Sequence, residues 1–264
     1  MNKNSEISLF LYELFSHAGL NKNDMFILHS SLTPLIWNIF EKFGKIINEK
    51  IFLDWLVEFV SPKGTLLLPA FNINIKKTVR YDFINTPSEM GILSEKARLD
   101  KRFQRTQHPL LSFLVFGKYK KEICELDDIT GIGKNSPFDF VKKNNGKIAV
   151  ISLPDNKSMS FYHHVENITG VSHRHLINFK SKIFYKDNFI KNKNYQYYAR
   201  KRDEGVVTSV DKMEEYLWKR NVYLGTKYGD PFSVRSGLAK DIFYYTKKII
   251  KSGKALGYLY KINR

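Results

Sequence analysis

Apolar residues recur every three or four positions through residues 5–17, where Ile7, Leu11, Leu14 and Phe15 alternate with polar side chains. That spacing predicts an amphipathic helix, stopped by Gly19 and the asparagines at 21 and 23. A continuous apolar run at 25–28 predicts a short buried strand, which leads into His29, Ser30 and Ser31, whose hydroxyls suit the start of a helix. Residues 38–60 read as mainly helical, 61–64 as a turn, and 65–68 as a second strand closed by Pro69. A loop is expected over 72–86. A helix is expected from 86 to about 98, with Pro87 at an early position and Glu89 in its first turn. A strand over 110–116, a loop through Gly131, Gly133 and Ser136-Pro137, and a short helix over 138–143 come next. The clearest strand is 147–153, and a helix is expected to begin near Ser160. Further on the pattern gives β-like pieces at 183–185, 195–198 and 206–209, a helix over 237–251 and a last strand within 255–261.

Strand, loop and helix alternate through 25–168, which argues for an α/β domain with helices on both faces of its sheet. The chain reads as one unit over 1–264, with the polar and aromatic stretch 180–225 as a substrate-covering insertion.

Composition adds little to this, and charge adds more. The 264 residues are 43% hydrophobic and 26% charged, which suits a folded globular chain. No run of about 18 apolar residues suggests a membrane span, and the first residues lack the basic-then-apolar pattern of a signal peptide. A cytoplasmic protein is the expectation. The one cysteine, Cys124, rules out an intrachain disulfide and a Cys-rich zinc site. The formal charge is +17, unevenly spread: residues 1–150 hold 21 basic and 16 acidic side chains, and residues 151–264 hold 22 and 10. Such a field favours anionic partners such as nucleic acid, a membrane surface or a phosphate-bearing small molecule. A general bias toward Lys, Asn, Ile, Phe and Tyr accounts for the same charge without any partner.

Three segments could carry chemistry. In Ser160-Phe-Tyr-His163-His164-Val-Glu166, His163 and Glu166 stand three apart on one helix face. A carboxylate beside an imidazole fixes its tautomer and makes a general base. The bland alternative is one core histidine and one exposed one. In Arg105-Thr-Gln-His108, the arginine and histidine could bind phosphate or polarise a carbonyl, or His108 could simply tie down a loop. In Thr86-Pro-Ser88-Glu-Met90-Gly91, hydroxyls and free amides at a helix start offer an anion seat or an ordinary cap. Gly131-Ile-Gly133 does not open a dinucleotide-binding unit. No Walker loop, His-Glu-x-x-His or Gly-x-Ser-x-Gly elbow is present. His163 and His164 point apart on a helix, so no metal is expected.

These pieces, together with His29-Ser30-Ser31-Leu32, Gly64-Thr-Leu-Leu-Leu-Pro69-Ala-Phe and Gly131-Ile-Gly-Lys-Asn-Ser136-Pro-Phe, stand in an order that resembles the aminoglycoside 3-N-acetyltransferase family. The likeness covers roughly residues 5–176 and weakens toward the end. It implies a three-layer α/β/α fold around a mixed sheet and an acyl-CoA-dependent N-acyltransferase, with His163 as the motif histidine and Glu166 as the motif acid. Ser160 stands where the family usually has threonine, and the hydroxyl is kept. On this reading His163 is the base and His108 shapes the thioester pocket. Acyl-CoA rests on His29, Ser30 and Ser31 and on Thr86, Ser88, Met90 and Gly91, with Arg105 as phosphate partner. Backbone amides near Ser30 and Ser31 supply oxyanion donors. Family members tend to be acidic, whereas this chain is basic. The excess charge of residues 151–264 therefore favours an anionic acceptor, namely a nucleotide-linked amino sugar destined for surface polysaccharide. Ser160, Tyr197, Lys201 and Arg202 are its expected contacts. The alternatives are an aminoglycoside acceptor and, from a different class, a basic nucleic-acid-binding module.

Overall fold

The computed structural model describes residues 3–73 and 80–263, with side chains from residue 6 onward. The middle of the expected 72–86 loop, residues 74–79, lies outside the described residues.

The strands in chain order are β1 (Met25–Ser30), β2 (Thr65–Pro69), β3 (Arg80–Asp82), β4 (Gln104–Arg105), β5 (Phe113–Gly117), β6 (Lys147–Ile151), β7 (Arg174–Tyr185), β8 (Asn188–Arg200), β9 (Val206–Thr208), β10 (Leu224–Gly225), β11 (Val234–Leu238) and β12 (Tyr260–Ile262). Seven of them form the central sheet, ordered β10-β11-β6-β1-β2-β5-β4. β1 runs parallel to β2 and β6, while β5 and β11 run antiparallel to their neighbours. The sheet is therefore mixed.

The central strands are buried along nearly their whole length, as strands covered on both faces must be. Side chains alternate between faces. Phe26, Leu28, Leu66 and Leu68 meet the helices Lys3–His17, Leu32–Phe43, Glu49–Val60 and Ile92–Leu99. Ile27, Leu67, Ile148 and Val150 meet Pro137–Lys143, Phe161–Thr169, Asp211–Lys219 and Ala239–Lys251. The three-layer α/β/α architecture follows directly from this alternation. No helix among the described residues is long and apolar enough to cross a membrane.

Several boundaries differ from the sequence reading. The helical stretch at 38–60 is two helices. Gly44 ends the first with φ 64° and its N–H on Phe40 O, and the Asn48 side chain caps the second by accepting from Ile51 N at 2.9 Å. The helix expected at 86 begins only at Ile92. The Glu95 carboxylate accepts from Ser88 N at 2.9 Å, and the Ser88 hydroxyl accepts from Met90 N at 3.2 Å, which folds 86–91 into turns.

The largest difference is the β7–β8 hairpin, of which only fragments were legible. Its strands carry few buried residues, so no sustained apolar alternation marks them. Its turn residues Lys186 and Asp187 both take positive φ, 49° and 64°, the left-handed pair that joins twisted strands tightly. Asp82 anchors that turn from β3, accepting from Lys186 N and Asp187 N at 3.2 and 2.7 Å. A small cluster of Tyr81, Leu110, Ile183 and Tyr195 holds the hairpin to the body.

Candidate active site

β6 ends at Ile151, and the chain passes through the one-turn helix Asp155–Ser158 into the helix Phe161–Thr169. The three-residue spacing places His163 above Glu166, with Nδ1 3.0 Å from Oε2. Gly170, at φ 76°, turns the chain back, so that His173 Nε2 reaches Glu166 Oε1 at 2.7 Å and Arg174 Nε stands 2.7 Å from Oε2. Burial alone would raise the Glu166 carboxyl. The hydrogen bonds from His163 and His173 and the charge of Arg174 reverse this and hold it well below the usual carboxylate range. An ionised carboxylate only accepts, so the proton of neutral His163 is assigned to Nδ1 and Nε2 keeps its lone pair. Burial and then Arg174 lower the His163 pKa below its ordinary value, while Glu166 opposes them. The result is a neutral, oriented, half-buried imidazole near pH 7.

Three cavities adjoin at the carboxyl ends of β1, β2 and β6, the usual address of ligands in such sheets. The middle one, about 210 Å³, is lined by His29, Phe71, Met90, Lys157, Ser160 and His163 among others. It shares His29, Met90 and Lys157 with a second cavity of about 460 Å³, which includes Ser30, Ser31, Thr33, Gly91 and Ser94. It shares His163 and Ile73 with a third, also about 460 Å³, lined by Leu111, Tyr197, Arg200 and Arg202 among others. His163 thus stands at the joint between the middle cavity and the third.

The sequence model described as aminoglycoside 3-N-acetyltransferase matches residues 27–246. The chain belongs to this family. No curated protein matches it. Among solved structures it is similar to the YokD protein from Bacillus subtilis, with TM-score 0.71, 17% identity, and 92% of this chain and 98% of that one covered. It is similar to AAC-IIIb, solved with CoASH, at TM-score 0.75 and 14% identity, covering 93% and 96%. It is also similar to AAC-VIa, solved with sisomicin, at 0.76 and 16%, covering 93% and 98%. At these identities the likeness concerns the fold. The family consists of acyl-CoA-dependent N-acetyltransferases, enzymes that act on amines.

The family's α/β scaffold brings some of the expected residues together and leaves others apart. His29, Ser30, Ser31, Met90, Gly91 and Ser160 line the first two cavities. His29 Nε2 lies 3.4 Å from Ser160 Oγ, and burial, with Arg235 nearby, lowers its pKa to about 3. The Ser31 N–H is occupied by Ile151 O at 3.0 Å, so it is not a free oxyanion donor. Tyr197 and Arg202 line the third cavity.

Five expected residues lie elsewhere. Arg105 is buried, with Nε on Ser112 Oγ at 2.9 Å, Nη2 on Ala70 O at 2.7 Å and Nη1 on Thr86 O. Its guanidinium clamps three segments and lines neither cavity beside the base nor the one at Ser30 and Ser31. Thr86 accepts from Asp82 N through its hydroxyl at 2.8 Å and lines none of these three cavities, and neither does Ser88. His108 is buried with both nitrogens in use. Nδ1 accepts from Leu111 N at 3.0 Å, and Nε2 sits 3.2 Å from the carbonyls of Ile129 and Gln196. It ties a loop to the hairpin, and burial lowers its pKa to about 4. Lys201 is paired with Glu204 at 2.9 Å and lines none of the three cavities. The neighbour of the base, His164, faces the core with Nδ1 2.7 Å from Ile132 O.

The sequence reading missed Lys157, His173, Arg174, Arg200 and a buried ion pair. Arg235 on β11 reaches Asp155 Oδ1 at 2.5 Å and Leu153 O at 2.7 Å. The hydroxyls of Tyr162 and Tyr223 donate to Asp155 Oδ2 at 2.5 and 2.8 Å. This network pins the loop that carries Lys157 and Ser160. No local spacing connects Asp155 with Arg235, eighty residues away.

Proposed function

We propose that this chain transfers an acetyl group from acetyl-CoA to a primary amine of an amino sugar. The observation that carries the reading is the placement of His163 at the joint of two cavities, with Nδ1 held by an ionised Glu166. The cavity at Ser30 and Ser31 suits the CoA diphosphate. The helices Leu32–Phe43 and Ile92–Leu99 both begin on its wall, and each leaves its first amides without partners inside the helix. Helix starts of this kind favour anions. Lys157 adds the positive side chain that Arg105 does not. As the amine nitrogen bonds to the thioester carbon, His163 takes the amine proton and the sulfur leaves as thiolate. The Ser160 hydroxyl, beside His29 on the wall of the middle cavity, offers a side-chain donor for the carbonyl oxygen.

For the acceptor, the comparisons favour an aminoglycoside over the nucleotide-linked amino sugar suggested by net charge, because the family carries that description and AAC-VIa is solved with sisomicin. With the family established, the nucleic-acid-binding reading falls away. The β7–β8 hairpin, through Ile177, Tyr197 and Tyr198, walls the acceptor side.

Thiol release from acetyl-CoA in the presence of an amine panel tests the reading. His163→Ala lowers turnover by roughly 10²- to 10⁴-fold, the range typical of removing a general base, while CoA binding persists. A variant with a near-normal rate removes His163 from the mechanism.

A further inference from the structure

The acceptor-side cavity has an unusual charge balance. Three guanidinium groups line it, from Arg174, Arg200 and Arg202, against one acid, Asp203. Arg174 is engaged by Glu166. Arg200 and Arg202 form no side-chain ion pair or hydrogen bond among the described residues. Arg200 is partly buried, and burial together with the charges of Arg202 and Arg174 disfavours its protonated form, with Glu166 as the offset. Arg200 stands opposite Arg174 in the hairpin register, and the more exposed Arg202 joins them on the cavity wall. An anion among these cations relieves their repulsion, and guanidinium is the side chain best shaped to hold an oxyanion through paired N–H groups. A polycation in this cavity would meet the opposite field, with Asp203 alone to receive it.

We propose that Arg200 and Arg202 seat an oxyanion carried by the acceptor, either phosphoryl or carboxylate, so that this chain departs from the aminoglycoside acceptor that the comparisons favour and prefers an anionic amine. The inference rests on the reading of His163 as the base that faces this cavity. It adds a second point of attachment, which fixes the acceptor while its amine meets Nε2.

Two measurements test it. The first compares kcat/KM for glucosamine 1-phosphate, an amino sugar acid, glucosamine and an aminoglycoside. The phosphate and carboxylate arms separate the two kinds of oxyanion. The proposal expects an anionic amine to lead. It also expects Arg200→Gln and Arg202→Gln each to raise the KM of that amine by roughly ten- to hundredfold, as loss of a charged hydrogen bond does, with partial recovery in Arg202→Lys. Faster turnover of glucosamine or the aminoglycoside, untouched by the arginine variants but abolished by His163→Ala, overturns the anion seat and leaves the base in place. The second measurement does not depend on turnover: titration of inorganic pyrophosphate into the protein saturated with CoA. Binding that the double variant loses supports the seat even if every amine tried is inert, an outcome that would count against the base. No binding to the wild-type protein overturns the seat.

Discussion

Acidification from about pH 7.5 to about 5 should destabilise this protein through three imidazoles that it keeps neutral. His29, His108 and His164 are buried, and burial is the leading cause that lowers their pKa values to about 3, 4 and 4. In the unfolded chain each titrates near its ordinary value of about 6.5. Between the folded and unfolded values the unfolded state binds the extra proton, so stability is fully present above about 6.5 and is lost as pH falls. At about pH 5 each group has withdrawn about 2 kcal/mol, and the three together about 6 kcal/mol. That is a large part of the 5–15 kcal/mol available to a typical domain. Near pH 5.5 unfolding takes up roughly three protons, a slope close to 4 kcal/mol per pH unit. His163, also lowered, adds in the same direction, while Glu214, whose pKa is raised by burial, opposes it. Denaturant unfolding followed by tryptophan fluorescence at a series of pH values measures the slope. His164→Leu should remove about one proton from it whatever it does to stability at pH 7.5. Stability that stays within about 1 kcal/mol across this range would refute the account.

Glu166→Gln removes the charge that offsets burial and Arg174 at His163. The acidic limb of the kcat/KM profile should therefore move to lower pH with a reduced plateau, and a move to higher pH would show that Glu166 does not tune the base. Lys157→Ala should raise the KM for acetyl-CoA by about two- to fivefold, the effect of losing one exposed charge contact. Arg105→Gln should instead lower the melting temperature and change that KM by less than about twofold, since its guanidinium holds backbone carbonyls and Ser112. The opposite pattern in these two variants would return the phosphate contact to Arg105. Asp155→Asn leaves Arg235 buried beside a neutral amide, and thermal unfolding should report a loss of about 3–5 kcal/mol.

The sequence by itself determined the layers and the pairing of His163 with Glu166. Short apolar runs at β1, β2 and β6, bounded by turn residues, read as strands covered on both faces, and the three-residue step from His163 to Glu166 is local geometry that any helix imposes. The break expected after β6 puts that pair at the carboxyl edge of the sheet. The fate of each polar side chain away from its own helix turn was decided only by the tertiary structure. Arg105, Thr86 and His108 carry the same functional groups whether they face a phosphate or a backbone carbonyl, and what separates the two is which strand end packs beside them. Lys201 was bound to Glu204 on its own turn while Arg202, one residue on, opened into the cavity. The hairpin escaped detection because a ladder of backbone hydrogen bonds needs no apolar pattern. Asp155 and Arg235 escaped because a buried charge finds its partner across the sheet and not along the chain.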